Sequence, residues 1–242
     1  MTISALVYYD KGNSVAVDTY NNLISNNEIT EAEVDKQMLI AIGGDGSLIR
    51  AIHEYSRMPD GFSVGLIGTG TVNYLAMGDN PVHTEILTLE ASIYDSGYTV
   101  PNTCMSPIVN EISITSLDRK RMLKFDISID DELVCQSVRG DGVIVATAIG
   151  STAYAMSAGG PIVDIDTPVN VIVMSNEYSR KSRPIVLSND KKITIHTYTD
   201  SCMIVDGIKE YAMHGEGYIA IRPYKSIDLW HSNSLVREEK NR

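Results

Sequence analysis

The strongest constraint on the fold is an apolar run, Met38–Ile42, that stops at two adjacent glycines, Gly43 and Gly44. A near-continuous apolar run of this kind is typical of a strand that is buried on both faces of a parallel sheet. After the glycines, apolar residues recur at helical spacing from Leu48 to Tyr55. A buried strand, a tight turn and a helix in this order predict an α/β unit with a parallel sheet.

Other segments extend the α/β interpretation. Ile3–Tyr9 and Ser63–Ile67 are apolar runs that predict further strands. Between Pro81 and Tyr94 the apolar residues fall at helical spacing, and Gly97 follows, so we predict a further helix there.

The pattern changes near Val100. Beyond it the helical periodicity fades, and short alternating runs typical of strands dominate. We therefore predict an α/β domain over residues 1–100 and a β-rich domain over residues 101–221. The predicted strands of the second domain are Val109–Thr115, Leu123–Ile129, Leu133–Val138, Val143–Thr147, Val169–Met174, Lys192–Thr199, Met203–Asp206 and Tyr218–Arg222.

The charge balance limits the partners. With 20 Lys and Arg against 31 Asp and Glu, the formal net charge is −11. Such a surface repels phosphate backbones and anionic lipid, so we expect neither a nucleic acid nor a membrane as partner.

The three cysteines are scattered, and the sequence shows neither a signal-peptide pattern at its start nor an apolar run of about 18 residues. We therefore expect a cytoplasmic protein.

The turn Gly43–Ser47 is the first candidate site. Two glycines after a buried strand let the backbone approach a ligand closely, and the free N–H groups that begin the next helix favour a phosphate. Asp45 is unexpected there because a carboxylate repels phosphate, and a role as general base would explain it. A simple Asx-type turn or a helix cap is the alternative explanation.

Two more segments are rich in glycine. Gly68–Leu75 follows the predicted strand Ser63–Ile67, and loops that leave neighbouring parallel strands share one crevice. Thr147–Pro161, shortly after Asp141, combines glycines with hydroxyl groups that suit sugars and phosphates without adding charge. The alternative for the first segment is a tight turn from a strand to a helix, and for the second it is a Gly/Ser turn between strands. The hydroxyl-bearing candidates of the second segment are Ser151, Thr152, Tyr154 and Ser157.

Two other features carry less information. Asn110 and Glu111 could bind the two hydroxyls of a ribose, although a turn at a strand end is the more common explanation of such a dipeptide. The five histidines show no paired metal-ligand spacing, so we expect no metal site formed by protein side chains.

Taken together, in this order and at these distances, the segments resemble the NAD kinase family. The resemblance spans residues 39 to 187, with weaker similarity up to Gly207. Gly43–Ser47 resembles the family motif GGDG-Thr/Ser, Gly68–Leu75 resembles N-T-G-x-L-G-F-L, and Asn110-Glu111 resembles an Asn-acidic pair. Residues 141–161 resemble the long block D-G-x-x-x-x-T-P-x-G-S-T-A-Y-x-x-S-A-G-G-P, and Ser182–Leu187 resembles S-x-R-P-x-V-L.

The resemblance implies a fold and a reaction. The fold is α/β plus β: a Rossmann-like amino-terminal domain and a β-rich, sandwich-like carboxyl-terminal domain, with residues 222–242 returning to pack on the first domain. The reaction transfers the γ-phosphoryl of ATP, or of polyphosphate in some members, to the 2′-hydroxyl of the adenosine ribose of NAD. The family forms homodimers or homotetramers in which a neighbour's residue completes the NAD pocket. ATP binds with Mg²⁺ or another divalent cation.

The resemblance also implies roles for single residues. Asp45 takes the proton of the 2′-hydroxyl, and Gly44 and Gly46 leave room for phosphate. Asn110 and Glu111 hold the nicotinamide-side ribose or amide, with Asp141 nearby, and Asp206 lies near the adenine. Thr152, Ala153, Tyr154 and Ser157 line the NAD pocket. The remaining implied nucleotide-binding residues are Arg50, Tyr74 and Arg139.

The chain departs from the family pattern at four positions. The family Asn is Gly68 here, and the family Gly is Asn73, a residue type that tolerates positive φ. The family Pro is Ala148, and a residue that is often polar is Ile149. Two alternatives to an NAD kinase stay open: a diacylglycerol- or lipid-type kinase, which shares GGDG-Ser, and a non-catalytic NAD sensor, which the altered residues would allow.

Overall fold

The computed structural model describes residues 3–31, 38–69, 73–78, 81–95, 101, 103–179 and 181–232. Two compact units divide the chain. The first contains the chain up to Ile86 and again from Ser226 onward, and the second contains Leu87–Lys225. The units thus divide earlier than the change of pattern near residue 100, which falls on residues 96–100, outside the described part.

The first unit has a parallel sheet. Its strands β1 (Ile3–Tyr9), β2 (Ile29–Glu31), β3 (Met38–Gly43) and β4 (Phe62–Gly68) follow the order β2-β1-β3-β4. The last part of β16 (Gly217–Ser232) pairs with β4, and all of these pairs are parallel. The parallel arrangement predicted from the sequence is therefore confirmed. A core cluster lies between β1–β3 and α1 and is formed by Ala5, Ala16, Ile29, Ile40 and Ile42. The elements are β1 Ile3–Tyr9, α1 Ser14–Ser25, β2 Ile29–Glu31, β3 Met38–Gly43, α2 Asp45–Glu54 and β4 Phe62–Gly68.

Helix α1 was not predicted. Asn13 caps it, because its side chain accepts hydrogen bonds from the N–H groups of Val15 and Ala16. Only Ala16 of this helix is buried, so the apolar pattern that identifies a core-facing helix is weak here.

The helix predicted between Pro81 and Tyr94 is wrong. Pro81–Asp95 forms a long strand, β5, that pairs with β6, Thr103–Ile108. The segment contains the β-branched residues Val82, Thr84, Ile86, Thr88 and Ile93, which favour strands, and strand pairing outweighs the helical spacing of its apolar residues. The predicted helix end at Gly97 lies outside the described residues.

The second unit is β-rich, as expected from its alternating patterns. One sheet has the antiparallel order β12-β11-β10-β7-β14-β15, and β9, β8, β13 and the first part of β16 pair in turn. β8 coincides with the predicted strand Leu123–Ile129. The other elements are β7 Glu111–Ser116, β9 Glu132–Gly140, β10 Gly142–Thr147, a 3-10 turn Ile149–Thr152, α3 Tyr154–Ser157, β11 Val169–Ser175, β12 Ile185–Ser188, β13 Ile193–Thr197, β14 Ser201–Val205, β15 Lys209–Met213 and β16 Gly217–Ser232.

The core of the second unit draws side chains from both sets of strands. Ile112, Val143 and Met203 come from the first sheet, and Phe125 and Ile219 from the second set. An α/β unit with a parallel sheet and a β-rich unit are therefore the observed fold class. Across the described ranges, no helix combines the length and the apolar character needed to cross a membrane.

Candidate functional site

Asp45 is the first residue of α2, and its carboxylate reaches a second loop of the same unit. Oδ2 accepts a hydrogen bond from the backbone N–H of Tyr74 at 2.9 Å, and Oδ1 accepts one from Leu75 at 3.0 Å. Gly44 is the helix cap residue, and no side chain caps this helix. The helix-cap explanation for Asp45 is therefore wrong: the side chain holds the loop at residues 73–75.

The sheet brings these two loops together. β3 and β4 are adjacent and parallel, with Gly43 paired to Gly68, and the N–H of Thr69 donates to the carbonyl of Gly43 at 2.8 Å. The expectation that Gly43–Ser47 and the segment starting at Gly68 meet at one sheet edge is thus confirmed for the described residues. Residues 70–72 of the second segment lie outside them.

Gly43 and Gly46 differ in what a side chain at their positions would meet. Gly43 has φ +154°, and a Cβ there would lie 2.2 Å from the Oγ of Ser47. Only glycine fits this position because the turn and the packing both exclude a side chain. A Cβ on Gly46 would meet nothing within 4 Å, so open space lies beside its backbone at the start of α2.

Arg50 and Tyr74 are both exposed in the first unit. The Tyr74 side chain keeps 53% of its surface accessible while its backbone N–H is bound to Asp45. Arg50 lies one turn into α2, close enough to Tyr8 for its positive charge to counteract the burial that raises the pKa of that phenol.

In the second unit, Asp206 organises the turn that carries two predicted site residues. Its Oδ1 accepts hydrogen bonds from the N–H groups of Asn110 at 2.7 Å and Glu111 at 3.0 Å, and its Oδ2 accepts one from Val109 at 2.9 Å. Asp206 itself has φ 49°, a left-handed conformation that Asp tolerates better than most residues. The carboxylate thus fixes the backbone of residues 109–111.

Glu111 is buried, with 8% of its surface accessible. Burial, reinforced by the negative charge of Asp206, raises the pKa of its carboxyl from 4.5 to about 7, although a hydrogen bond from the backbone of Tyr154 opposes the shift. Its Oε2 has no hydrogen-bond partner within the described ranges. The group can therefore offer a hydrogen bond, as donor or acceptor, near neutral pH.

This shift predicts a pH-dependent stability. Between pH 4.5 and 7 the native state keeps a proton that the unfolded chain has lost, so the unfolding free energy falls as pH rises through that window. Glu111→Gln removes the titration, and its stability relative to wild type should rise by up to about 3 kcal/mol from pH 4.5 to pH 8. Denaturant unfolding at both pH values measures this. Glu132→Gln, at an exposed position, is the control, and parallel curves for Glu111→Gln and wild type would contradict the assignment.

The glycine-rich segment of the second unit packs on the same turn. Thr147 donates its N–H to the carbonyl of Asn110 at 2.9 Å and its Oγ1–H to that of Val109 at 2.6 Å. A Cβ on Gly150 would lie 2.0 Å from the carbonyl oxygen of Asn110, so only glycine permits this close approach. No separate role was predicted for Thr147 or Gly150, although the spacing of Thr and Gly within the motif could have indicated one.

The remaining predicted residues follow along this segment and its neighbours. Thr152 and Ala153 are half-buried, and Tyr154 and Ser157 are exposed on and beside the short helix α3. Arg139 is exposed, and its carbonyl accepts the N–H of Tyr178 at 2.8 Å.

Asp141 is also exposed, and its position depends on a residue that sequence reasoning missed. Its Oδ2 accepts a hydrogen bond from the side-chain amide of Asn176 at 2.7 Å. Asn176 has φ 47°, and no motif in the sequence pointed to it.

The structure explains one departure from the family pattern. Ala148 has φ −56°, a value that a proline ring also permits, so the backbone keeps the conformation expected for the family residue. Ile149, at the other altered position, is buried with 6% of its surface accessible.

The predicted residues form one group in the first unit and two in the second. Gly44, Asp45, Gly46 and Tyr74 lie around the start of α2, and Arg50 lies further along that helix. In the second unit, Asp206 binds the turn at Asn110 and Glu111, and the backbone of Tyr154 donates a hydrogen bond to Glu111. Arg139 and Asp141 lie at the junction of β9 and β10.

Comparison with known proteins identifies relatives for most of the chain. Residues 109–227 match the family model of the ATP-NAD kinase C-terminal domain. The NAD kinase of Chlorobaculum tepidum is 34% identical over 84% of this chain and 72% of its own length. Those of Caldicellulosiruptor saccharolyticus and Methanosarcina mazei are 32% and 30% identical, over 81% and 78% of this chain and 76% and 67% of their own lengths.

Solved structures show the same fold. The yeast NADH kinase complexed with NADH superposes with a TM-score of 0.80 at 17% identity, covering 97% of this chain and 84% of the other. An NAD kinase from Archaeoglobus fulgidus in complex with ATP gives a TM-score of 0.73 at 22% identity, covering 96% and 94%. On the strength of the sequence relatives, and with the shared fold in support, the chain belongs to the NAD kinase family.

Proposed function

We propose that this protein transfers the γ-phosphoryl of ATP to the 2′-hydroxyl of the adenosine ribose of NAD and so produces NADP. The observation that carries the proposal is the carboxylate of Asp45, held by two backbone N–H groups behind a glycine turn in a member of this family. The test is an assay of NADP formation by the purified protein with ATP, Mg²⁺ and NAD. Absence of NADP under these conditions would refute it.

Asp45 acts as the general base. A secondary hydroxyl is a poor nucleophile, and a carboxylate placed beside it accepts its proton as the reaction proceeds. The hydroxyl oxygen then bonds to the γ-phosphorus while the bond from that phosphorus to the β–γ bridging oxygen breaks, which releases ADP. The N–H groups of Tyr74 and Leu75 keep the carboxylate at one place, and such positioning supports phosphoryl transfer.

The start of α2 receives the phosphates. Its first N–H groups and the positive end of its dipole attract an anion, and Gly46 leaves its backbone open to close approach. ATP enters as its complex with Mg²⁺, which neutralises part of the phosphate charge. Across the described ranges, no group of three or more His, Cys, Asp or Glu side chains is placed to hold a metal ion.

The substitution Gly46→Ala is expected to weaken ATP binding without lowering the stability of the protein. Because a Cβ there meets nothing within 4 Å and alanine is the better helix former, the variant should be as stable as wild type or more stable by up to about 1 kcal/mol. The methyl group would nevertheless occupy the space assigned to phosphate, and we expect the KM for ATP to rise about tenfold or more, which corresponds to a loss of about 1.4 kcal/mol. Thermal unfolding and initial rates measure both effects, and an unchanged KM for ATP would contradict the phosphate assignment.

The second unit binds NAD. The turn at Asn110 and Glu111 offers a carboxamide and a buried carboxyl group to ribose hydroxyls or to an amide, with Asp141 as a further acceptor. The exposed ring of Tyr154 can stack on a flat ring of the nucleotide. Thr152, Ala153 and Ser157, in the same segment, line the NAD pocket. Arg50 and Arg139 supply positive charge for phosphate groups.

The two alternatives receive no support from the comparisons. The named relatives and solved structures are NAD or NADH kinases, and a net charge of −11 disfavours binding to anionic lipid. A non-catalytic sensor would bind NAD without forming NADP, and the same assay detects that outcome. The homodimer or homotetramer implied by the resemblance and the cytoplasmic location expected from the sequence pattern stay predictions.

A further inference from the structure

Gly68, the last residue of β4, lies directly against the side chain of Asn73. A Cβ on Gly68 would lie 2.9 Å from the Cγ of Asn73 and 3.0 Å from its Cβ, and also 3.0 Å from the Cβ of Ala76. Carbon atoms that are not bonded prefer separations of about 3.5–4.0 Å, so these atoms would overlap. The side chain of Asn73 therefore occupies the space that a side chain at position 68 would need.

Gly68 is firmly placed on the catalytic side of the sheet. It pairs with Gly43 in the parallel register of β3 and β4, and the N–H of the next residue, Thr69, donates to the carbonyl of Gly43 at 2.8 Å. Gly43 is the residue from which the turn to α2 departs. Because the Asn73 side chain contacts Gly68, its position is fixed relative to the end of β3, where the turn to α2 begins.

Asn73 leads directly to the two donors that hold the catalytic carboxylate. The N–H groups of Tyr74 and Leu75 bind Asp45 at 2.9 Å and 3.0 Å. The carbonyl of Asn73 accepts the N–H of Ala76 at 3.3 Å and closes the turn around them. The position of these donors therefore depends on where the Asn73 side chain rests.

We propose that Asn73 is a positioning residue for Asp45 and that Gly68 and Asn73 form one steric pair. This inference rests on the proposed role of Asp45 as general base. The family pattern has Asn at the position of Gly68 and Gly at the position of Asn73. The same two residue types are present here in exchanged order: the carboxamide is on residue 73, and the glycine at residue 68 makes room for it.

The steric pair explains why the chain departs from the family pattern at both Gly68 and Asn73 and not at one of them. Asparagine at position 68 with Asn73 in place would put two side chains into one volume. Glycine at both positions would leave a gap beside the loop and more backbone freedom at residue 73. Either change would shift the N–H groups of Tyr74 and Leu75, and displacement of a catalytic group by about 1 Å can cost 10²-fold in rate.

A double-variant cycle on stability tests the steric pair without using activity. Gly68→Ala adds the overlapping Cβ and should lower the thermal midpoint by roughly 3–10 °C in the wild-type background. In the Asn73→Gly background the same substitution should lose part of that effect, because the two atoms that it meets on residue 73 are gone while the Cβ of Ala76 stays at 3.0 Å. Equal losses in the two backgrounds would overturn the pair.

Kinetics test the positioning role. We expect Asn73→Ala to lower kcat about tenfold or more with the KM for ATP changed less than twofold, because the base moves while the phosphate site is kept. Asn21→Ala, at an exposed position of α1, is the matched control and should change neither parameter. The exchange variant Gly68→Asn/Asn73→Gly should recover kcat to within about threefold of wild type, since it restores one side chain and one glycine.

The two results separate the inference from the proposed function. If Asn73→Ala turns over like wild type while Asp45→Asn does not, Asp45 is catalytic and the positioning role of Asn73 is refuted. If both variants turn over normally but the stability cycle shows coupling, the steric pair stands, and the role of Asp45 as base, with the positioning role built on it, is refuted.

Discussion

Replacing Asp45 with asparagine is expected to lower kcat by about 10²–10⁴-fold, the usual contribution of a general base. The amide keeps the size of the side chain but cannot accept the proton of the ribose hydroxyl. Binding of ATP and NAD should be retained, since the phosphate-facing backbone of Gly44 and Gly46 is unchanged. Initial rates of NADP formation and calorimetric titration with each nucleotide measure the two effects. Near-normal turnover would exclude the role assigned to Asp45.

The same substitution also disturbs a structural contact, and this effect must be separated from the chemistry. Both oxygens of Asp45 accept backbone N–H groups, from Tyr74 and Leu75, whereas an amide offers one oxygen and turns an NH₂ group towards the other donor. We therefore expect a loss of stability of about 1–3 kcal/mol alongside the loss of kcat. Asp18→Asn, at an exposed position of α1, is the control and should change neither.

Strands and helices of the parallel sheet were predictable from the sequence where a single local pattern determined them. The apolar run that ends at Gly43 and the helical spacing after it were enough to predict β3, α2 and the parallel sheet. The parallel sheet in turn predicted that the loops after β3 and β4 lie close together. The contact that matters for function, between Asp45 and two backbone N–H groups, was not predictable because it depends on the conformation of a loop rather than on residue types.

The two wrong or missing elements, β5 and α1, have different physical causes. The strand β5 has apolar residues at helical spacing, but its pairing with β6, which no local pattern reveals, determines its conformation. Helix α1 buries only Ala16, so its cap at Asn13 is the one local signal, and that signal alone is weak. For β5 the pairing between strands outweighs the local spacing, whereas for α1 the local signal is too weak to identify the helix.

The resemblance to a family identified the residues of the second unit, but it could not distinguish ligand contacts from supporting contacts. Asp206 was expected beside the adenine. The structure shows both oxygens of its side chain bound to the backbone of residues 109–111, which is the arrangement of a residue that positions others. Only the three-dimensional contacts, across almost a hundred residues of sequence, reveal this.

Asp206→Ala should therefore destabilise the second unit and weaken NAD binding together. Three N–H groups lose a charged acceptor, and alanine tolerates the φ of 49° poorly, so we expect a loss of about 2–5 kcal/mol in unfolding free energy. The displaced turn should raise the KM for NAD by about tenfold or more, with the KM for ATP changed much less. Chemical denaturation and initial rates with each substrate varied measure these effects. Asp190→Asn, at an exposed turn position, is the control.

Asp206→Asn gives the graded comparison and keeps the test valid should the alanine variant fail to fold. Asparagine tolerates positive φ, and one amide oxygen can keep the two bonds that Oδ1 accepts from Asn110 and Glu111. Its neutral side chain also removes the negative charge that helps to raise the pKa of Glu111, so the upper end of the pH window in which Glu111 affects stability should fall below 7. A residue that contacts adenine away from Glu111 would weaken NAD binding without lowering this upper end, and an unchanged upper end would refute the placement of the Asp206 charge beside Glu111.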